Sequence, residues 1–305
     1  MQKWERCLWL IDLFSSYGEL SLREVNERFT RYSRNEMGES LSERMFLRDR
    51  EYIASTFQLD IEYDGHIRKY RLNNREVIRQ NPLYRYLLSS MHVENMSELL
   101  VRHRDRVMLQ EPPTGTEWLC VLLDAIERRR TVVFDYRSYH MKGQLLHYEL
   151  IPAFVRLFEK RWYLIGEYLN HVTTRVLALE RMSDVRLGDY CLSPSEAITP
   201  DRYYGGCYGV IRDAQEPRDI YLKVYGSQVD YVRSLPLHPL QEEVETTDEY
   251  SVFHYFFRPS YDFIQQVLWH RDMVEVLSPI ELRQEICAVL RKALRRYGPD
   301  GEVRI

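Results

Sequence analysis

The sequence lacks any long apolar run, and this absence excludes a class of protein. No apolar stretch approaches the roughly 18 to 20 residues that a helix needs to span a bilayer, so no membrane association is expected. The first residues, Met1 to Arg6, lead into an amphipathic segment that contains Asp12, which is unlike a secretory signal peptide. We therefore expect a cytoplasmic protein.

Cysteine pairs and an excess of positive charge are also missing. The five cysteines form no C-x-x-C pair and have no zinc-type spacing to a histidine, which indicates reduced, structural thiols. The formal net charge of the 305 residues is −4, so the chain as a whole does not attract nucleic acid. Any binding to DNA must come from a local surface.

The common catalytic motifs do not occur. The sequence contains no G-x-S-x-G, no H-E-x-x-H and no Walker loop, and its acidic residues form no recognisable metal-binding cluster. The glycine-rich segment 203–209 lacks the lysine of a phosphate-binding loop and is interpreted as a connector. We expect no catalytic residue, cofactor or metal, and an enzyme acting on nucleotides or nucleic acid has no direct support.

Three helices and a hairpin are predicted at the start of the chain. Apolar residues recur at helical spacing over 4–17. Ser21 and Glu24 form a capping box for a second helix, and 42–57 predicts a third. A β-hairpin should follow, with its turn at Asp64-Gly65.

This element order over residues 1–75 is that of a winged helix-turn-helix, whose third helix enters the major groove. Residues 1–75 hold thirteen Lys or Arg and thirteen Asp or Glu, a net charge of zero, which is less basic than a typical DNA-binding domain. Basic residues nevertheless cluster on the third helix and on the wing. We predict contacts to double-stranded operator DNA from Ser42, Arg44, Arg48, Arg50, Arg68 and Lys69. A degenerate winged helix that contacts protein is the alternative.

A linker is predicted at 76–115. Its residues 76–109 have helical apolar faces, and the Pro-Pro-Thr-Gly sequence that ends it is a plain breaker. The basic run at 101–106 indicates a solvated face or a dimer contact rather than a nucleic-acid site.

One predicted strand contains the sequence Arg-Trp-Tyr-Leu-Ile-Gly at 161–166. Its alternation places Trp162 and Leu164 on a face suited to a core. Arg161 and Tyr163 fall on the opposite face, where a guanidinium and a phenol suit an anion or a nucleobase. An ordinary half-buried strand is the alternative.

The order of motifs around this strand resembles the WYL domain family. The motifs cover about seventy residues and comprise Phe134-x-Tyr136, a strand with Pro152, Trp162-Tyr163-Leu164, and Arg175 and Arg181 before Met182-Ser183-Asp184-Val185. The resemblance implies a ligand-sensing Sm-like or SH3-type β-barrel over 116–192, found in bacterial transcription regulators that bind nucleotides or single-stranded nucleic acid. The third helix, Ser42-Glu43-Arg44-Met45-Phe46-Leu47-Arg48-Asp49, is likewise similar to the helix in domains that precede WYL domains, with methionine replacing a threonine.

The resemblance and the side-chain chemistry together nominate an effector pocket. Arginines bind phosphate bidentately, and tyrosines stack on a base or donate a hydroxyl. The nominated residues are Tyr136, Tyr148, Arg161, Tyr163, Arg175 and Arg181. Arg175 and Arg181 have the same strand parity, so they should share one face, whereas Trp162 is expected in the core.

A connector at 193–217 and a further domain at 218–305 complete the predicted α+β multidomain chain. The order of that domain is strand, helix, strand pair, helix, strand, helix, which predicts a small α+β sandwich. It resembles the extension that follows many WYL domains, in the segments 235–238 and 274–279. In that family the extension supports dimerisation.

These features predict a ligand-responsive bacterial transcription regulator that forms a homodimer. Its winged helix would bind operator DNA, and its barrel would bind a nucleotide or single-stranded nucleic acid that changes the affinity for DNA. The alternative is a barrel that serves as a protein-partner or other-ligand module without sensing nucleic acid.

Overall fold

The computed structural model describes residues 2–32, 34–35, 37–212 and 216–297. The chain divides into two compact units, Met1–Gln110 and Glu111–Ile305. Residues 298–305 of the predicted last domain and 213–215 of the predicted connector lie outside the described residues. Within the described part of the chain, no helix is long and apolar enough to cross a membrane.

The first unit begins with the predicted three helices and hairpin. These elements are α1 (Lys3–Tyr17), α2 (Leu22–Phe29), α3 (Glu43–Phe57), β1 (Ile61–Asp64) and β2 (Lys69–Leu72). The capping box of Ser21 and Glu24 is present at the start of α2, as predicted. The predicted turn at Asp64-Gly65 is wrong in length, because the loop between the strands spans residues 65–68.

A buried ion pair joins α1 to α3 within the core of this unit. Arg6 donates from Nε and Nη2 to the two Asp49 carboxylate oxygens, at 2.5 and 2.9 Å. Asp49 is only 1% exposed, and it lies on α3 beside the buried Phe46 and Ile53. The ion pair therefore fixes the orientation of α3 about its own axis.

Three further helices complete the unit, namely α4 (Arg75–Gln80), α5 (Pro82–Asn95) and α6 (Ser97–Arg102). Ile78, Leu88 and Met91 are buried in the same core as α1 and α3. The prediction of helix as far as residue 109 is wrong, because α6 ends at Arg102. The helical segment thus packs on the first unit.

The second unit opens with α7 (Leu119–Glu127) and a five-stranded antiparallel sheet. The strands are β3 (Arg130–Ser138), β4 (Gln144–Phe158), β5 (Arg161–Tyr168), β6 (Thr174–Ala178) and β7 (Met182–Cys191), in the order β6-β5-β4-β3-β7. The two edge strands, β6 and β7, are consecutive along the chain. One face of the sheet packs with α7 around Phe134, Leu150 and Leu164.

A short 3-10 turn at Leu179–Arg181 separates β6 from β7. The expectation that Arg175 and Arg181 share a strand face is therefore wrong, because the strand ends at Ala178. The face of β5 that was predicted to be polar is apolar instead, because Ile165 packs with Phe154 in a second buried cluster.

The last part of the unit is an α+β arrangement, as predicted. A short helix, α8 (Pro200–Tyr204), lies in the segment that was predicted as connector. The remaining elements are β8 (Arg218–Tyr225), α9 (Gln228–Ser234), β9 (Glu242–Thr246), β10 (Tyr250–Phe257), α10 (Tyr261–Trp269), β11 (Val274–Ser278) and α11 (Ile280–Tyr297). The strand order is β11-β8-β10-β9. Side chains of α9, α10 and α11 share one core with β8, β10 and β11.

Candidate functional site

Three tyrosines on neighbouring strands form the aromatic half of the candidate effector site. Tyr148 on β4 stacks on Tyr168 of β5, with ring centroids 6.0 Å apart, and meets Tyr136 of β3 edge-on at the same separation. Burial raises the pKa of both Tyr136 and Tyr148. Both phenols are therefore neutral at neutral pH and can donate a hydrogen bond.

Arg175 lies at the exposed edge of this aromatic group. Its Nε donates to the Tyr168 hydroxyl at 3.5 Å, and its guanidinium lies 5.3 Å from the centre of the Tyr168 ring. No carboxylate pairs with Arg175 among the described residues. Its charge is therefore available to an anion.

The charged half of the site consists of Arg161, Glu180 and Arg181. An oxygen of Glu180 lies 3.4 Å from Arg161 and 3.8 Å from Arg181. Its second oxygen is buried without a hydrogen-bond partner in the described structure. The carboxylate thus lies between two guanidinium groups and partly neutralises both.

Arg181 connects the charged half to the aromatic half. Its guanidinium lies 4.0 Å from the centre of the Tyr139 ring, and its Nε is buried without a hydrogen-bond partner in the described chain. Burial raises the pKa of Tyr136. The charge of Arg181 and a hydrogen bond with its side chain act in the opposite direction and lower that pKa. Tyr136 therefore touches both halves of the site.

Tyr163 is the predicted site residue that points away. It packs against the second apolar cluster with Phe154 and Ile165, and burial raises its pKa. Tyr136, Tyr148 and Arg175 belong to the aromatic half, Arg161 and Arg181 belong to the charged half, and the contact between Tyr136 and Arg181 joins the two halves.

Sequence reasoning missed three members of this group: Tyr168, Tyr139 and Glu180. Tyr168 has the same strand parity as Trp162 and Leu164, a signal that was present in the sequence. Glu180 directly precedes Arg181, but only the 3-10 turn brings its carboxylate near Arg161. Tyr139 lies in the loop between β3 and β4, where no periodic pattern predicts its direction.

The segment that enters the second unit packs directly on this site. Thr114 donates its N–H to the Lys160 carbonyl at 3.0 Å and accepts from the N–H of Trp162 at 3.3 Å. Gly115 has a φ of +82°, and a Cβ there would lie 2.4 Å from the Cβ of Leu179 and 3.0 Å from the nitrogen of Glu180. Only glycine fits this contact with the 3-10 turn.

The predicted DNA-contacting residues on α3 differ in their environment. Ser42 is the N-cap of α3, and its hydroxyl accepts from the Met45 N–H at 3.2 Å. Arg44 and Arg48 are exposed and have no ion pair among the described residues. Arg50 is partly buried, with its guanidinium 5.3 Å from the centre of the Tyr70 ring.

The two predicted wing residues also differ. Arg68 is exposed in the loop between β1 and β2, where its φ of 54° is left-handed. Lys69 lies 3.7 Å from Glu24 on α2, so its charge is partly neutralised. The unpaired positive charge of this face is therefore concentrated at Arg44, Arg48 and Arg68.

Two family models match the second unit. The WYL domain model matches residues 117–187, and the WCX domain model matches residues 216–294. No curated protein matches the chain.

Solved structures also resemble the chain. Proteasome accessory factor B/C (PafBC) of Arthrobacter aurescens is 16% identical over 82% of this chain and 40% of its own, with a TM-score of 0.31. A CRISPR Cas-related protein is 13% identical over 60% of this chain and 51% of its own, with a TM-score of 0.34. The chain therefore spans about half or less of these structures. The two family-model matches alone identify a WYL domain and, after it, a WCX domain in the second unit.

Proposed function

We propose that this chain is a ligand-responsive transcription regulator rather than an enzyme. Its WYL domain binds a nucleotide or single-stranded nucleic acid, and its first unit binds operator DNA as a winged helix-turn-helix. The observation that carries the proposal is the group of Tyr136, Tyr148 and Tyr168, which has Arg175 at one edge and meets, through Tyr136, the cluster of Arg161, Glu180 and Arg181. Stacked phenols suit a base, and guanidinium groups suit a phosphate.

The DNA-binding half of the proposal is supported by α3. Its outward face carries Arg44 and Arg48 one turn apart, while its inward face is held by the Arg6–Asp49 ion pair. A recognition helix needs both a basic exposed face and a fixed rotation about its axis. The hairpin, with exposed Arg68, would contact the phosphate backbone.

A mechanical link from the effector site to the start of the second unit is supported by the packing of Thr114 and Gly115. A phosphate that binds Arg161 and Arg181 competes with Glu180 and displaces that carboxylate. The 3-10 turn then shifts, and Gly115 shifts with it because the two are in van der Waals contact. A coupling of about 1 to 3 kcal/mol changes the affinity for DNA roughly 5- to 150-fold.

A homodimer is the assembly that we propose. The second half of α11 exposes Leu290, Leu294 and Tyr297 at helical spacing. Burial of such a stripe against a second copy stabilises a dimer. A dimer also reads an inverted repeat, with half-sites one helical turn or a multiple of it apart.

The test is operator binding by the purified protein, using duplex DNA from upstream of its own gene, with and without a short single-stranded oligonucleotide. We expect the oligonucleotide to change duplex affinity in the wild type but not in Arg175→Ala or Arg181→Ala. Arg186→Ala is the matched control, because Arg186 is exposed on β7 and outside the site.

Two other results would point elsewhere. If the duplex binds but no oligonucleotide or nucleotide changes its affinity, the WYL domain serves as a protein-partner or other-ligand module. If no duplex binds at low salt, where phosphate contacts are strongest, the first unit does not act on DNA.

A further inference from the structure

A cavity of about 550 Å³ lies in the WCX domain, apart from the tyrosine and arginine group. It opens between α9 and α10, and its aromatic walls are Tyr208, Tyr231 and Trp269. A second cavity of about 380 Å³ adjoins it, because both are lined by Gln228, Trp269 and His270. The volume is within the usual range of small-molecule sites.

The polar groups of this cavity centre on an imidazole. The carboxamide nitrogen of Gln228 lies 3.1 Å from His270 Nδ1, and that of Gln266 lies 3.4 Å from Nε2. Burial lowers the pKa of His270, so the ring is neutral at neutral pH. Both ring nitrogens are thus engaged by carboxamides from two different helices.

A neutral imidazole fixes what these carboxamides offer to a ligand. One ring nitrogen carries a proton and donates, while the other accepts. One carboxamide must therefore turn its oxygen to the ring and keep an N–H free, and the other must turn its N–H to the ring and keep its oxygen free. The two carboxamides therefore offer at least one free N–H donor and one free carbonyl acceptor among the residues that line the cavity.

The remaining lining excludes an ionic ligand. None of the described residues that line the 550 Å³ cavity carries a formal charge while His270 is neutral. The lining of the adjoining cavity includes Arg271 and Asp272, whose formal charges sum to zero. An uncharged ligand is favoured.

Trp269 is the side chain that such a ligand would cover. It is 79% exposed, which is a large apolar area to leave in water at the mouth of a cavity. An indole is also the best of the aromatic side chains for stacking on a flat ring of low charge. Trp269 is adjacent to His270, so one ligand can reach both.

The rim opposite Trp269 is held in place. The Gln241 side chain accepts from the Leu237 N–H at 3.1 Å and from the Tyr255 hydroxyl at 2.8 Å. The same side chain donates to the Val232 carbonyl at 2.9 Å. These bonds fix the loop after α9, so the cavity exists before any ligand enters.

We propose that this cavity binds an uncharged planar nitrogen heterocycle that carries an exocyclic amine beside an unprotonated ring nitrogen, as adenine does. Its ring stacks on Trp269, and its donor and acceptor pair with the free polar atoms of Gln228 and Gln266. The heterocycle can be part of a free nucleoside or a base of a single strand, and the chemistry of recognition is the same. The site is independent of the arginines on the WYL domain.

The experiment is isothermal titration of the full chain with adenosine, which has no phosphate for the arginine group. We expect adenosine to bind the wild type and to lose about tenfold in affinity in Trp269→Ala, since stacking of a base on an aromatic side chain contributes roughly that much or more. Gln266→Leu should lose about threefold to tenfold. Gln265→Leu is the matched control, because Gln265 is the exposed neighbour on the same helix.

Ligand variants separate the two parts of the recognition. N6,N6-dimethyladenosine keeps the ring but lacks the donor, so it should bind more weakly than adenosine to the wild type. This difference should disappear in whichever of Gln228→Leu and Gln266→Leu removes the acceptor oxygen. If a single-stranded oligoadenylate binds Arg175→Ala and this binding requires Trp269, the heterocycle is recognised as a base of a strand. If adenosine binds and the oligoadenylate does not, the ligand is a free nucleoside. The cavity proposal is overturned if adenosine does not bind the wild type or binds Trp269→Ala equally well. The regulator proposal is unaffected by either result, because it depends on Arg175 and Arg181.

Discussion

Removal of the Glu180 carboxylate should strengthen binding of an anionic effector to the WYL domain. The perturbation is Glu180→Gln, which keeps the shape of the side chain and removes its charge. In the free protein this carboxylate lies 3.4 Å from Arg161 and 3.8 Å from Arg181. It therefore neutralises the two groups that would hold a phosphate, and it repels the phosphate itself.

The size of this effect follows from Coulomb's law. A phosphate between the two arginines would place its charge about 6 Å from Glu180, where two unit charges repel by roughly 0.7 kcal/mol in water and roughly 2.8 kcal/mol at an effective dielectric constant of about 20. Arg161 is 50% exposed and Glu180 is 21% exposed, so solvent screens the pair substantially. We expect a gain of about 1 to 1.4 kcal/mol, which is roughly five- to tenfold in Kd.

The assay is titration with a short single-stranded oligothymidylate, whose bases lack an exocyclic amine and so do not suit the WCX cavity. The gain should shrink at high salt, because the Debye length falls from about 10 Å at 0.1 M to about 3 Å at 1 M. Glu127→Gln is the control, because this exposed glutamate is remote from the site. It is the last residue of α7 and precedes β3, whereas Tyr136 of the site lies near the far end of β3. Equal affinities of Glu180→Gln and wild type at low salt, or an equal gain in Glu127→Gln, would refute the reasoning.

Four further substitutions test three separate features of the chain. Arg44→Ala and Arg48→Ala should each lower operator affinity about tenfold in a gel-shift titration, because a base or phosphate contact of arginine contributes on that order. Asp49→Ala should lower the free energy of unfolding by about 3 kcal/mol in urea denaturation, because it leaves a buried guanidinium without its partner. A hydrogen bond from Arg233 lowers the pKa of Glu243 from 4.5 to about 2. Ionised Glu243 therefore stabilises the fold fully above pH 4.5, and this stabilisation is lost as the pH falls from 4.5 to about 2. Glu243→Gln should remove this part of the dependence of stability on acid pH.

Each of these variants has a control at a neighbouring exposed position. Arg23→Ala on α2 should leave operator binding within about twofold of wild type, and Glu51→Gln on α3 should leave stability within about 0.5 kcal/mol. Asp248→Asn should keep the acid-linked slope that Glu243→Gln removes. A control that behaves like its paired variant would mean that the effect comes from net charge, not from the contact described.

The regular elements were predictable because their side-chain periods are simple. The stripe of α3 and the capping box of α2 agree with the structure, whereas the predicted alternation of β5 does not, because both of its faces are buried over residues 164–167. The length of the loop at 65–68 was not predictable, because Asp-Gly favours a two-residue turn but the chain continues to Arg68 before the next strand begins. The end of helix at Arg102 was missed because apolar residues continue beyond it.

The candidate sites were predictable only in part. Arg161, Arg175 and Arg181 were identified by type and motif, but the 3-10 turn at Leu179–Arg181 carries no glycine or proline that would mark it in the sequence. Its presence turns Glu180 into the shared partner of two arginines. The WCX cavity depends on residues from 208 to 270 that only the packing of α9 and α10 brings together.

The long strand β4 gives the second unit a rigid connection between its two proposed ligands. This strand runs from Gln144 to Phe158. Tyr148, near its start, belongs to the tyrosine group. Phe158, at its end, packs on Tyr208 of the cavity wall, with ring centroids 6.0 Å apart. Ten residues of extended chain separate them by about 33 Å. The ladder to β5 shifts register between Pro152 and Phe154, and proline has no N–H to pair there. We therefore expect the backbone amides next to Pro152 to be the least protected from hydrogen exchange along β4.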